Sequence, residues 1–248
     1  MPFIGNKPSA VPLTSADITD NVITSAKIVD GTIANADINS SAAIALSKLS
    51  TTGTADSSTY LRGDGAWSAV SSDYVLLATT DITSSTASVS FDGYFSSTYK
   101  NYKIIVANSY AVNNAVNFRF RLRRSNADVT TSNYKHTNSG RYTSSGGGDN
   151  AVNQQWNVDH INPSYNWDLS NTATNTLSCD IILYNPLGTT AHKQGNFISS
   201  FVTDAGAYMV HQSGAFFLTD ATTALSGITF YFSSGNIASG NFKLYGIK

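Results

Sequence analysis

The stretch "NFRFRLRR", residues 117–124, alternates apolar and charged side chains without a break: Phe118, Phe120 and Leu122 fall on one side, Arg119, Arg121 and Arg123 on the other. A chain does this as a β-strand, in which successive side chains point to opposite faces. The pattern predicts one face in a core and the other in water. Working outward, "DYVLLATTDI" (73–82), "ASVSF" (87–91) and "YKIIVANSY" (102–110) precede it. "LSCDIILYN" (177–185), "AYMVHQSGAFFL" (207–218), "GITFYFSS" (227–234) and "FKLYGI" (242–247) follow. About eight or more short strands separated by turn residues predict an all-β head over 71–248, a two-sheet β-sandwich or jelly roll.

Composition agrees with that class. Charged residues make up 12% of the 248 residues, against about 25% in an average soluble chain. All 16 acidic residues are aspartate, with no glutamate anywhere. Glutamate fills solvent-facing helix positions, whereas the abundant Ser, Thr, Asn, Asp and Gly favour turns and caps. A net charge of -1 and a pI near 6.4 give no reason to expect a nucleic-acid partner or an anionic lipid surface. The basic cluster at Arg119, Arg121, Arg123 and Arg124 is read as a solvated face or an inter-subunit ion-pair surface. Cys179 is the single cysteine, which excludes an intrachain disulfide and reads as a small buried residue. No run of about 18 apolar residues occurs, so no membrane insertion is expected, and "MPFIGNKPSAVP" lacks the basic start and apolar core of a secretion signal. The expectation is a soluble chain made in the cytoplasm.

Upstream of the head the pattern changes. "ITDNVITSAKIVDGTIANADI", residues 18–38, places isoleucine at 18, 23, 28, 33 and 38. Five steps on a helix advance about 140°, which scatters the isoleucines around the cylinder, and in a strand an odd spacing sends them alternately to both faces. The unit is ten residues long: "TSADITDNVI" (14–23), "TSAKIVDGTI" (24–33), then "ANADINSSAAI" from 34 with one residue inserted, and a degenerate "ALSKLSTTGT" from 45. With Leu13 before them and Ile44 and Leu49 after, the apolar positions form one series. Each "TSAK" or "TSAD" reads as a cap and one helical turn, and "DGT" as a tight turn. So few copies cannot stack into a core within one chain, so residues 14–53 are expected to form an extended stalk with Leu13, Ile18, Ile23, Ile28, Ile33, Ile38, Ile44 and Leu49 buried between several chains. Three chains is the number expected of a fibre.

Residues 54–70, "TADSSTYLRGDGAWSAV", read as a turn-rich joint. The "RGD" at 62–64 is taken as part of its turn rather than as an adhesion motif. Residues 1–13, whose stretch "IGNKPSAVP" has two prolines and a Gly-Asn pair, cannot form their own core and are assigned to docking on a partner.

Chemistry is sparse. His136, His160, His192 and His211 lie far apart without ligand spacing, so no metal and no cofactor are expected. "SSGGGDN" (144–150) lacks the strand and helix of a phosphate loop. No short motif isolates a pair of aspartates for glycoside hydrolysis, and no enzyme is expected. Residues 134–168 instead concentrate Tyr134, His136, Tyr142, Trp156, His160, Tyr165 and Trp167 among Asn, Asp, Ser and Gly. Aromatic faces suit sugar C–H edges and Asn/Asp suit hydroxyls, so loops here are a candidate glycan site. Core or inter-protomer packing stands as the other reading of Trp156 and Trp167.

Three segments carry a resemblance. "PFIGNKPSAVP" (2–12), "TSAKIVDGTI" followed by "YLRGDGAWS" (60–68), and "SSGNIASGNFKLYGIK" (233–248) each resemble segments recurrent in tail-fibre proteins of tailed bacteriophages. The resemblance implies a homotrimeric virion protein whose N-terminus docks on another phage virion protein and whose C-terminal β domain faces a host cell-surface glycan or protein. The chain departs from long fibres in having few repeats, no chaperone segment and no β-helical stretch. A short tail fibre is the leading expectation, a capsid-attached head fibre or decoration protein the alternative, and a small glycan hydrolase the second alternative.

Overall fold

The computed structural model describes residues 14, 16, 18–143, 150–204, 208–220 and 222–248. Leu13 and the rest of 1–13 lie outside them. The chain is nearly all β and divides into two compact units, one ending at Val70 and one running from Ser71 to Lys248.

In the first unit the decapeptide repeat becomes a repeated backbone. Single 3₁₀ turns stand at Ser25–Lys27, Asn35–Asp37 and Leu46–Lys48. Between them, tight turns close through N–H···O bonds from Val22 to Thr19, Thr32 to Val29 and Ala42 to Asn39. Asn21 and Gly31 occupy equivalent places with φ of 65° and 79°, the left-handed region that Gly and Asn tolerate best. Thr24 makes no side-chain cap to its turn; at the next turn Asp37 reaches back and accepts from the Ala34 N–H at 2.8 Å. Side-chain capping by Thr24 therefore fails, and the spacing is held by backbone turns. A short hairpin follows, β1 (Thr59–Leu61) with β2 (Trp67–Ala69). Its turn holds Arg62 and Asp64, which pair with each other at 3.2 Å.

The second unit contains β3 (Tyr74–Ile82), β4 (Val89–Asp92), β5 (Asn101–Ala111), β6 (Phe118–Arg124), β7 (Ala127–Asp128), β8 (Tyr134–Tyr142), β9 (Asn150–Val158), β10 (Leu177–Tyr184), β11 (Lys193–Val202), β12 (Met209–Leu218), β13 (Gly227–Phe232) and β14 (Ile237–Ile247). They form two antiparallel sheets, ordered β3-β14-β5-β10-β11-β12-β8-β9 and β4-β13-β6-β7. The pairs β3–β14, β4–β13, β5–β10 and β6–β7 are nested in sequence, as in one long hairpin rolled up, with β8–β9 and β11–β12 widening the larger sheet. The sheets meet through aromatic rings: Phe120 of β6 lies 5.1 Å from Phe216 of β12, and Phe230 of β13 lies 5.6 Å from Phe242 of β14. Phe118, Phe120 and Leu122 are fully buried there.

Two expectations are corrected. The arginine side of β6 is not a wet face. Arg121 pairs with Asp159, Arg123 with Asp92 and Asp128, and Arg124 with Asp220, and these arginine side chains are only 16–21% exposed. Aspartates on neighbouring segments neutralise these three, so they are sheltered and paired within the chain, while Arg119 is in no ion pair among the described residues. Residues 134–142 and 150–158 are not loops either. They are strands β8 and β9, extending the larger sheet beyond β12, and residues 159–170 return beneath them. There Ile161 exchanges backbone bonds with Phe120, while Asn138, Ser199 and Gln212 bond the backbone oxygens of Asn162, Pro163 and Tyr165. Asn, Ser and Gln on the inward positions of these strands hid the alternation, because their partners are backbone groups of that returning segment rather than water.

Candidate binding cleft

The register fixes which side chains share the outward face of the larger sheet. One row crosses all eight strands as Tyr74, Ile247, Asn101, Tyr184, Gln194, Phe217, Lys135 and Trp156. The next runs Leu76, Tyr245, Lys103, Ile182, Asn196, Ala215, Thr137 and Gln154. The two halves of the face differ. Over β3, β14, β5 and β10 it is largely apolar, whereas over β11, β12, β8 and β9 amides and hydroxyls are set among a few aromatic rings.

That second half holds an open cleft of about 510 Å³, whose walls include Lys135, Thr137, Gln154, Trp156, Tyr184, Gln194, Asn196 and Phe217. Trp156 is 62% exposed. The Lys135 ammonium sits 4.7 Å from the Trp156 ring centre and 5.7 Å from that of Phe217, a cation held between two aromatic faces. The His192 ring lies 5.6 Å from that of Phe217, tilted by 34°. Among the described residues no carboxylate lies within ion-pair distance of Lys135.

Of the seven aromatic and histidine residues singled out from the sequence, only Trp156 points into this cleft from the outward face. Tyr134 is fully buried in the core, where its hydroxyl accepts from the Leu122 N–H at 3.0 Å and donates to the Val129 carbonyl at 3.0 Å; burial pushes its pKa up. His136 points to the inward face against Tyr165 at 6.1 Å. Neither of its ring nitrogens has a hydrogen-bond partner among the described residues, and burial pulls its pKa down to about 4. Tyr142 and Trp167 pack together at 4.7 Å with Tyr208 against both, an aromatic cluster at the core margin. His160 is buried beside Asp159, Nδ1 to Oδ1 at 2.7 Å. Burial lowers its pKa, and the Asp159 hydrogen bond opposes that. Burial works against ionisation of Asp159, yet bonds from His160 and Arg121 hold its carboxyl below the ordinary range. The seven residues therefore divide between core, inward layer and cleft because β8 and β9 alternate and 159–170 turns back beneath them.

Lys135, Phe217, Tyr184, Asn196, Gln194, Gln154 and Thr137 were not singled out from the sequence. One signal for them was present: the doublet Phe216–Phe217 inside an alternating strand must send one ring outward. Among the described residues no group of three or more His, Cys or Asp side chains is placed to hold a metal ion. Burial raises the Cys179 thiol, which suits an inert core residue. Comparison with protein-family models, with curated proteins and with solved structures gives no match for this chain.

Proposed function

We propose that this chain is a short homotrimeric fibre of a phage virion, docking through residues 1–13 and carrying a host-recognition head whose glycan site is the cleft at Trp156. The observation that carries the reading is the repeat. Ile18, Ile23, Ile28, Ile33, Ile38, Ile44 and Leu49 are all exposed in the single chain, between 39% and 56%, along a backbone that repeats every ten residues. Identical apolar positions at a fixed step, without internal burial, suit packing against identical copies about an axis. The nested strand pairs support reading the head as a jelly-roll sandwich. Among the described residues no aspartate lines the cleft, which favours binding over hydrolysis, since a glycosidase needs two carboxylates there.

Light scattering on size-fractionated full chain tests the assembly. We expect three times the 26.4 kDa chain mass. Replacing Ile18, Ile23, Ile28, Ile33 and Ile38 by serine is expected to weaken the trimer while the far-ultraviolet β signal of the head persists. A monomer at micromolar concentration would overturn the fibre reading.

A further inference from the structure

We propose that the cleft is selective for acidic saccharides, a uronic or sialic residue stacking on Trp156 and placing its carboxylate on the Lys135 ammonium. This rests on reading the head as glycan-binding and names the class of sugar.

Three observations converge. First, Lys135 stands in the first row between Phe217 and Trp156, with its ammonium over both rings, so it is held where a bound sugar ring would lie. Second, among the described residues no carboxylate pairs with it; Arg62, Lys103, Arg121, Arg123 and Arg124 are paired with aspartates, while Lys135, like Lys100, Arg119 and Lys243, is in no ion pair there. The outward carboxylate on the neighbouring part of the sheet, Asp180, is already committed to Lys103 at 2.8 Å. In a chain with 16 aspartates and a net charge of -1, a described wall with one cation and no acid has a definite sign. Third, the remaining groups suit a polyol. Thr137, Gln154, Gln194 and Asn196 offer both donors and acceptors on neighbouring strands, and the Trp156 and Phe217 faces suit sugar C–H edges. A neutral sugar would cover the ammonium without supplying an anion, which costs desolvation. An acidic one replaces water with a charge-assisted hydrogen bond.

The experiment is calorimetric titration of the full chain with three acidic probes, a galacturonate hexamer, a hyaluronan hexamer and sialyllactose. Maltohexaose and cellohexaose serve as neutral probes and glucose 6-phosphate as the phosphate arm. We expect at least one acidic probe to bind about tenfold or more tightly than both neutral ones, with affinity falling as salt rises. Lys135→Gln should lower that affinity about tenfold and flatten the salt dependence, so that the preference for acidic over neutral probes is lost. Lys135→Arg should retain it, and Trp156→Ala should lose both acidic and neutral binding. Both positions lie outside the core, and unchanged melting temperatures verify that the variants fold. Three results would overturn the proposal: neutral binding as tight as acidic, no effect of Lys135→Gln, or no binding of any acidic probe at millimolar concentration. Binding of glucose 6-phosphate alone would assign the anion as phosphate and likewise remove the carboxylate. Mass measured on the same samples separates the two readings: a monomer that binds acidic sugar removes the fibre and keeps the cleft, and a trimer that binds none does the reverse.

Discussion

At the scale of single residues, His136 shows what burial does to a side chain chosen for its chemistry. Its neighbours are the Tyr165 ring, the inward faces of β8 and β12 and, further off, His160, whose charge also disfavours protonation. The folded pKa of about 4 lies below the ordinary histidine value of 6.5, so between those values the unfolded chain binds the proton and the folded chain does not. Stability is therefore full above about pH 6.5 and falls as pH drops toward 4. At about 1.4 kcal/mol per pH unit, the loss is about 3 kcal/mol at most. Melting temperature followed from pH 7 to 4 should fall, and His136→Phe should remove most of that slope, leaving the share that belongs to His160. An unchanged slope in the variant would mean that His136 is not the group responsible. The same burial explains why His136 was readable in the sequence as a polar ring but not as an inward one: its alternation partners, Tyr134 and Asn138, announce a core face only once Asn138 is seen bonded to Gln212 and the Asn162 backbone.

At the scale of elements, the widened part of the larger sheet is built on glycines opposite phenylalanines. Gly195 pairs with Phe216 and Gly214 with Phe197 across β11 and β12. A Cβ on Gly214 would meet the Thr137 carbonyl oxygen at 2.2 Å and the Phe197 ring at 2.4 Å. Neither can retreat, since one is sheet backbone and the other is buried. Gly214→Ala should therefore cost about 1–3 kcal/mol or more, read as a lower denaturant midpoint, while Ser213→Ala on the outward face should be near neutral. Equal effects would show that the close approach is not what the glycine serves. This pattern also explains why β11, "KQGNFISSFV", was not recognised among the strands. Its inward Gly195 and Ser199 interrupt the apolar alternation on which recognition depends, and their smallness makes sense only against the rings and backbone opposite. By contrast "NFRFRLRR" announced itself, because Phe118, Phe120 and Leu122 are large and all inward.

At the scale of the whole molecule, the two outer faces of the head have different characters. The four-stranded sheet turns outward Arg121 and Arg123, both already paired with aspartates, with Arg121 lying over Tyr231 at 4.8 Å. The larger sheet turns outward Tyr74, Leu76, Tyr245, Ile247, Ile105, Ile182 and Ile198, apolar residues with the Lys103–Asp180 ion pair set among them. In the proposed trimer we expect this face to lie between heads, since large apolar side chains exposed on one copy are covered by another. Leu76→Asp combined with Ile198→Asp, both exposed in the single chain and so tolerated by the fold, should shift trimer dissociation in the full chain to at least tenfold higher concentration. An unchanged sedimentation profile would leave the face free of neighbours. The β class, the strands whose inward residues are large and the ten-residue step of the repeat are legible along the chain, because they depend on side-chain periodicity within one segment. That Tyr134 and His136 turn inward, that Arg121, Arg123 and Arg124 are neutralised, and that Lys135, Phe217 and Trp156 stand side by side emerges only on folding. Those outcomes depend on the register between strands remote in sequence, which is set by packing across sheets and leaves no periodic trace in any one strand.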